Sequence, residues 1–435
     1  MILKTNDIKV KYKNFTLPVI PDHPYSAVIP AVKGVPFFKY GKHAYYFLNF
    51  KTAQGTCLTI NHKDIIKPGL TTFFKANPNI NNNFSKLKSL FQKYHYGFNF
   101  LEQIMLTTVP HGVTSIGNGR FFINLWSYCG YLDIDCKSRS VKYITIDQNK
   151  NNFVLGAQQF YDALNDELYY MDFSLRDSLK RINNPDHPVS CHIYKKHTQT
   201  GKTEKIWTGN FADYLHEIII NKTRQYCVVC EMGMYTDNQN EIIPSKVLVL
   251  DLHNNKSWEI AKFIVAAHAQ FDPDQADIVY FSNHNFNFKH SSFFKLLKNS
   301  TYDVKFRGPA SVYKYRLTAN GPVEIGYFTH PELFRLTNSH VFNHRKQKLL
   351  AVIGYPNYIF IADAESMIFI KKIEINPPWP IGTIAASPDG EKLYVQTTKT
   401  FQIIDIASHQ PDINMDHRYN HSCANHMIAS NDTNW

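Results

Sequence analysis

Short apolar segments alternate with turn sequences along most of the chain, and the clearest example lies near its C-terminal end. An apolar stretch that begins at Thr383 runs into the turn Ser-Pro-Asp-Gly at 387–390, and apolar segments follow over 393–395 and 401–406. In such a turn proline fixes φ and glycine supplies a positive φ, so the chain reverses direction. The segment therefore predicts three consecutive strands of an antiparallel sheet.

The same succession of strand, turn and strand recurs upstream. A weaker copy fits residues 20–62. Five clear copies are anchored on the turn residues Ser115, Asp162, Ile220, Asp272 and Asn343. A repeat of about 40–50 residues is typical of a four-stranded propeller blade, and longer intervals between anchors indicate insertions. With the copy at Ser387, the repeats number seven.

We therefore predict an all-β fold, a seven-bladed β-propeller that forms a single domain over residues 1–435 with insertions between blades. The longest insertions are expected near 63–104, with a short amphipathic helix around 84–94, and near 282–310. Residues 411–435 are expected to form a C-terminal tail. Two stacked β domains are the alternative, but the repeats continue without a linker rich in proline, glycine or serine, and radial repetition protects strand edges. The repeat resembles the blades of WD40-like and YVTN-like propeller proteins.

The composition supports a folded β protein and argues against several other classes. Apolar residues make up 44% of the chain and charged residues 19%, and the 31 Phe and 26 Tyr favour strands. The net charge is +11, but the lysines are scattered, which indicates a solvated basic surface rather than a nucleic-acid site. No apolar stretch approaches the ~20 residues of a membrane span. Residues 1–15 lack the apolar core of a signal peptide, so we expect a cytoplasmic protein.

Seven cysteines, an odd number in a long chain, do not indicate a disulfide framework. Cys227 and Cys230 form a C-x-x-C pattern within a predicted strand, where alternation places them on opposite faces. We expect two buried free thiols there.

A possible centre for chemistry appears four residues before the turn anchors, where the first strand of each blade begins. These positions hold His111, Gln158, His216, His268, Ser339 and Thr383, and His340 is one residue away from Ser339. First strands of propeller blades line the central channel, so their side chains converge on one axis. Neutral imidazoles there could hold Fe, Mn, Zn or Cu with coordination positions left open. The alternative is that these histidines form hydrogen bonds in the channel and bind no metal.

One segment of the chain resembles the H-x-Q-F-S-P blade of the oligogalacturonate lyases. It spans 267–281 and begins Ala-His-Ala-Gln-Phe-Asp-Pro. That family consists of cytoplasmic propellers that hold Mn²⁺, and the resemblance implies that His268 is a base or ligand with Gln270 nearby. The nearest counterpart of the family's Q-x-x-H-x-H cluster, 338–340 with His344, departs from the pattern.

A second resemblance is to the carotenoid-cleavage oxygenases, propellers that hold Fe²⁺ with four histidines from separate blades. The run 267–273 is similar to their A-H-P-x-x-D-P, His111 with 113–114 to their H-D-F-x-x-T, and His340 with Asn343 to their H-x-x-N. Because the order and spacing differ, the analogy is one of site geometry.

The sequence therefore predicts a metal-dependent enzyme that cleaves or rearranges a small organic substrate by lyase or oxygenase chemistry. The ligands of its axial divalent metal, Fe or Mn, are expected to be His111, His216, His268 and His340. Predicted catalytic residues are His268 and Glu217, where Glu217, like Glu231, could orient an imidazole. The alternative is a non-catalytic scaffold that binds a partner protein on a propeller face.

Overall fold

The computed structural model describes residues 4–7, 10–33, 42–61, 64, 109–126, 130–145, 159–174, 177, 180, 184, 186–211, 215–231, 244–266, 268–288, 304–334, 336, 338–408, 411–416 and 427–433. Within these ranges the chain forms seven antiparallel sheets of four or five strands and one additional hairpin. The sheets are the blades of a propeller, which confirms the predicted all-β, seven-bladed fold.

Both chain ends contribute to the first two blades. Blade 2 contains β1 (Lys4–Asp7), β6 (Val109–Gly117), β7 (Arg120–Trp126), β8 (Gly130–Asp135) and β9 (Ser140–Thr145). Blade 1 contains β2 (Val10–Thr16), β3 (Ser26–Lys33), β4 (Lys42–Asn49), β5 (Gln54–Asn61) and β32 (Ile428–Ser430). β1 and β2 form the outermost strands of their blades, and β32 pairs with β3 at the inner edge of blade 1.

Blades 3 to 7 are built from strands in chain order. Blade 3 contains β10 (Phe160–Asp162), β11 (Glu167–Phe173), β12 (Val189–His197) and β13 (Thr203–Phe211). Blade 4 contains β14 (Leu215–Ile220), β15 (Tyr226–Glu231), β16 (Ser245–Asp251) and β17 (Lys256–Phe263). Blade 5 contains β18 (Ala269–Phe271), β19 (Ile278–Asn283), β22 (Ser311–Thr318) and β23 (Gly321–Thr329), and between β19 and β22 lies the hairpin of β20 (Phe286–Phe288) and β21 (Val304–Phe306). Blade 6 contains β24 (Ser339–His344), β25 (Gln347–Gly354), β26 (Tyr358–Asp363) and β27 (Phe369–Glu374). Blade 7 contains β28 (Ile381–Ala386), β29 (Lys392–Thr397), β30 (Thr400–Asp405) and β31 (Pro411–Asp416).

One sequence expectation needs correction. The segment 411–435 is not simply a tail, because it supplies β31 and β32, the last strand of blade 7 and the inner strand of blade 1. The insertion near 282–310 lies between the strands β19 and β22 of blade 5, the two strand segments that flank it in the sequence. The first insertion, 63–104, and its predicted helix lie outside the described residues apart from position 64.

The hydrophobic core lies between neighbouring blades. For example, Val228 and Cys230 of blade 4 pack with Val279 and Phe281 of blade 5. Cys230 belongs to that cluster, whereas Cys227, although equally buried, does not. Both are free thiols, as predicted, and burial raises the pKa of each. They are unreactive core residues.

Aspartates end the third strand of several blades and hold the next turn. Asp251 accepts hydrogen bonds from the backbone N–H groups of His253 (3.1 Å) and Asn254 (3.0 Å). The same two-residue pattern recurs at Asp135, Asp363 and Asp405. A short carboxylate that bonds the backbone two and three residues ahead forms an Asx turn, which explains the strands that end in aspartate.

The predicted turn anchors bind neighbouring blades to each other. Asp272 in blade 5 accepts a hydrogen bond from Lys348 Nζ of blade 6 at 2.7 Å, and Asp162 in blade 3 pairs with Arg224 of blade 4. Gly390, at φ +71°, lies so close to blade 6 that an added Cβ would be 1.7 Å from the carbonyl oxygen of Asn343. These contacts are all at the same end of the first strands, which we call the turn end.

No helix among the described residues combines the length and the apolar character that crossing a membrane requires.

Candidate functional site

A cavity of about 220 Å³ lies where the first strands of several blades begin. First strands of neighbouring blades, such as β14 and β18 or β24 and β28, approach one another around the axis. Because they all run in one direction, their first residues meet at the end opposite the turn end. We call this the axial cavity. It is lined by Glu217, His268, Ala269, Gln270, Asn338, Ser339, His340, Thr383, Ile384 and Met427.

Two imidazoles from adjacent blades meet beside this cavity. The rings of His216 and His268 have centroids 4.9 Å apart and an interplanar angle of 82°. Both residues are buried, with 3% and 6% of their surface exposed. The ladder between β14 and β15 is irregular between Leu215 and Glu217, so His216 occupies the extra position of a β-bulge. Bulges re-aim side chains, and this one accounts for how both His216 and Glu217 approach blade 5.

Glu217 joins blade 4 to blade 5 through one of its carboxylate oxygens. Oε2 accepts a hydrogen bond from the backbone N–H of Ala269 at 2.7 Å and lies 3.5 Å from Nδ1 of His268. Only 4% of Glu217 is exposed. A carboxylate beside one ring nitrogen orients the imidazole and directs the other nitrogen away from it. The predicted role of Glu217, to orient an imidazole, is consistent with this geometry, in which the imidazole beside the carboxylate is that of His268.

His340 lies on the blade 6 side of the cavity. Its ring stacks on Phe342, with centroids 6.0 Å apart and an interplanar angle of 17°. Part of the residue borders the cavity, but desolvation by burial lowers the pKa of His340 to about 4. The imidazole is therefore neutral at physiological pH and keeps a lone pair for a metal ion or a hydrogen-bond donor.

Two polar lining residues are engaged in holding blades together. The amide of Gln270 donates to the carbonyl of Val341 at 3.0 Å and accepts from its N–H at 2.8 Å, so it acts like an added strand residue between blades 5 and 6. Asn338 Nδ2 lies 3.5 Å from the hydroxyl of Thr383 in blade 7. The resemblance to oligogalacturonate lyases implies that Gln270 lies near the centre, and the observed bonds show what its amide does there.

The structure places three of the four predicted metal ligands near one another. His268 and His340 line the cavity and His216 contacts His268. The backbone of His111 belongs to β6, but its side chain lies outside the described residues, as does Gln158. Within the described ranges, no group of three or more His, Cys, Asp and Glu side chains is arranged to hold a metal ion. The four-histidine centre remains a prediction.

The C-terminal segment contributes a residue to the cavity that was not predicted from the sequence. Met427, directly before β32, lines the cavity beside Ile384 of blade 7. The signal was present, since Ala-Ser-Asn-Asp at 429–432 repeats the Ala-Ser-Pro-Asp of 386–389. Counting four residues back from Ser430 leads to His426, which lies outside the described residues.

The fold and the axial cavity thus define the class as a seven-bladed β-propeller. No protein-family model matches the chain, and no curated protein matches its sequence. Among solved structures, it is similar to the Kuenenia stuttgartiensis hydrazine synthase, with 12% identity, 68% of this chain and 76% of that chain covered, and a TM-score of 0.46. A chain from the crystal structure of a mitotic checkpoint complex has 12% identity, coverages of 54% and 61%, and a TM-score of 0.37.

These structural similarities carry no argument about what the chain binds or does. They also do not show a resemblance to oligogalacturonate lyases or carotenoid-cleavage oxygenases, so both remain interpretations of short segments.

Proposed function

We propose that the protein is an enzyme that acts on a small organic molecule in the axial cavity with the help of a divalent metal ion, Fe or Mn. The observation that supports this most directly is the meeting of two buried imidazoles, His216 and His268, beside the carboxylate of Glu217. Imidazoles supported by a carboxylate are the donor set that such metals accept.

The proposed ligands are His111, His216, His268 and His340. The described residues do not complete a ligand set by themselves, so the proposal depends on His111. A bound metal would polarise an oxygen or carbonyl group of the substrate. Glu217 would fix the orientation of His268, and His268 would serve as ligand or as base. Ser339 and Thr383 would offer hydroxyl groups to a polar substrate.

Metal content of the purified protein tests this proposal. We expect stoichiometric Fe or Mn in wild-type protein from cells supplied with either metal, and loss of that metal in His216→Ala and His268→Ala. His344→Ala is the matched control, because His344 belongs to the same strand as His340 but lies at the turn end, where it donates a hydrogen bond to the carbonyl of Gly390 at 2.8 Å.

Two outcomes would contradict it. Absence of metal under every supplement would remove the metal centre. Metal retained by all four single alanine variants, at His111, His216, His268 and His340, would remove the ligand set.

A scaffold function is the second candidate, favoured by exposed apolar side chains on the outer strands of blades 5 and 6. On β23, Val323, Ile325 and Tyr327 are 51%, 43% and 55% exposed, and Ile368 and Ile370 are exposed beside or on β27. Exposed apolar groups of this kind mark interaction surfaces. If this function is correct, serine substitutions at the three β23 positions will abolish association with a co-purifying partner, whereas His268→Ala will not.

A further inference from the structure

The charge of the whole chain does not describe the axial cavity. The protein carries a net charge of +11, which by itself favours anionic ligands. However, the described residues that line the cavity include no lysine or arginine. Among them Glu217 is the one acidic side chain, and it comes from the innermost strand of blade 4. The lysines and arginines that the structure describes lie elsewhere on the propeller.

The described residues satisfy only part of the hydrogen-bonding capacity of the Glu217 carboxylate. Its Oε2 atom accepts from Ala269 N–H and lies near His268. Among the described residues, no hydrogen bond is made to its Oε1 atom, and the residue is 96% buried against a cavity that it lines. A buried carboxylate is costly unless a positive group or several donors compensate it.

The rest of the lining suits a small molecule with one charged end. Ser339 and Thr383 supply hydroxyl groups, whereas Ile384 and Met427 supply an apolar wall. The space, about 220 Å³, is below the usual range for drug-sized ligands.

We infer that the axial cavity selects ligands that carry positive charge, with Glu217 as the residue that recognises it, and that it rejects carboxylates. This deepens the proposed function, on which it rests for the location of the site. A small organic ammonium ion and a divalent metal ion share the required chemistry. The inference opposes a uronate substrate bound through its carboxylate alone, because that group would meet Glu217.

Three probes of nearly equal size separate charge from shape. n-Butylammonium, n-butanol and n-butyrate are titrated calorimetrically into chelator-treated full-length protein at pH 8, where an ordinary imidazole is neutral. We expect n-butylammonium to bind at least about tenfold more tightly than n-butyrate. A hydrogen bond between the ammonium group and the Glu217 carboxylate contributes at least as much free energy as a tenfold ratio of affinities requires. In Glu217→Gln, which keeps an acceptor for Ala269 N–H, the ratio should fall to near unity. Glu391→Gln, which alters an exposed pair with Arg345 at the turn end, should retain it.

Butyrate bound as tightly as butylammonium, or a preference that survives in Glu217→Gln, would overturn the inference. Titration with MnCl₂ distinguishes it from the proposed function. Ammonium binding that depends on Glu217 in a protein without any metal affinity would support the cation-selective cavity and contradict the metal enzyme. Manganese binding that depends on Glu217 without ammonium binding would support both, and binding of neither cation would overturn the inference.

Discussion

The two ends of a single strand, β24, show how differently the propeller treats its channel and its turns. His344 at the turn end donates to the carbonyl of Gly390 in the next blade, and His340 at the cavity end borders an open space. At the turn end, polar groups such as His344 form hydrogen bonds between neighbouring blades. At the cavity end, the Oε1 atom of Glu217 receives no hydrogen bond from the residues that the structure describes, so it can accept one from a ligand.

The acidic residues of blade 5 and its neighbours differ between the two ends in the same way. Asp272 at the turn end accepts hydrogen bonds from Lys348 Nζ and from the N–H groups of Asp274 and Gln275, at 2.7, 2.9 and 3.0 Å. Glu217 at the cavity end accepts one backbone hydrogen bond and has His268 beside it. Both side chains are carboxylates, but we expect substitution of Asp272 to change the stability of the fold and substitution of Glu217 to change ligand binding.

The largest stability effect is expected from Asp272→Ala. This change leaves the ammonium of the buried Lys348 without its main partner, and breaking a buried ion pair costs about 3–5 kcal/mol. Urea unfolding measures the loss. The control is Asp274→Ala, whose more exposed carboxylate also contacts Lys348, at 3.3 Å, and should cost less than about 1 kcal/mol. Equal losses in both variants would show that the turn end is not held by Asp272.

Gly390→Ala is expected to have the next largest effect. The new Cβ would overlap the carbonyl oxygen of Asn343 at 1.7 Å, and overpacking together with a positive φ costs about 3 kcal/mol. Gly117→Ala is the matched control, since Gly117 also has a positive φ, +84°, but has nothing within 4 Å. It should cost only about 1 kcal/mol, for the left-handed backbone alone. Thermal unfolding of both variants would contradict the close blade contact if the two were equally stable.

The turn end is also the part of the fold that the sequence predicts best. Ser-Pro-Asp-Gly at 387–390 and the aspartates that end third strands are local signals, because each acts on a backbone two or three residues away. The closure of the ring was missed because β32 pairs with β3 across almost the entire chain, and three residues give too short an apolar pattern to recognise. The position of such a strand is set by partners that are distant in the sequence, and a local pattern therefore cannot predict it.

Acidic residues at the turn end also predict a pH dependence. Burial by itself would raise the pKa of Asp405, but hydrogen bonds from Ser408 and Lys392 outweigh it and lower the pKa well below its usual range. The unfolded chain then binds a proton more readily than the folded protein, so this stabilisation is present above about pH 4 and is lost as the pH falls further. Asp405→Ala should cost about 1–2 kcal/mol at pH 7.

The measurement for Asp405 is urea unfolding of wild type and variant between pH 7 and pH 3. The difference between them should shrink toward pH 3. Asp277→Ala, at an exposed carboxylate, provides the control and should parallel the wild type. A difference that is constant with pH would mean that the carboxylate charge of Asp405 is not what stabilises the turn.

The candidate site could be predicted only in part. Counting back from the turn anchors identified His216 and His268, because equivalent positions in equivalent strands converge. The same count could not reveal the bulge at His216, the bond from Ala269 to Glu217 or the amide of Gln270 between two blades. Nor could it reveal that a basic protein lines its channel with a carboxylate. Which side chains line a cavity depends on how distant segments of the chain pack together.

The smallest effect at neutral pH, and the one that separates the two ends most sharply, is expected at the histidines of β24. In metal-free protein His344→Ala should cost about 1 kcal/mol through the lost hydrogen bond to Gly390, whereas His340→Ala, beside an existing cavity, should cost less. On acidification the difference between the two variants should widen, and His340→Ala should become more stable than wild type. Because burial lowers the pKa of His340 to about 4, the unfolded chain takes up its proton near pH 6.5 and the folded protein does not. Wild type should therefore lose stability between about pH 6.5 and pH 4 by the linkage of about one proton. His340→Ala should flatten that limb of the curve and His344→Ala should keep it, and the same slope in both variants would show that His340 is accessible to bulk water rather than enclosed in the channel.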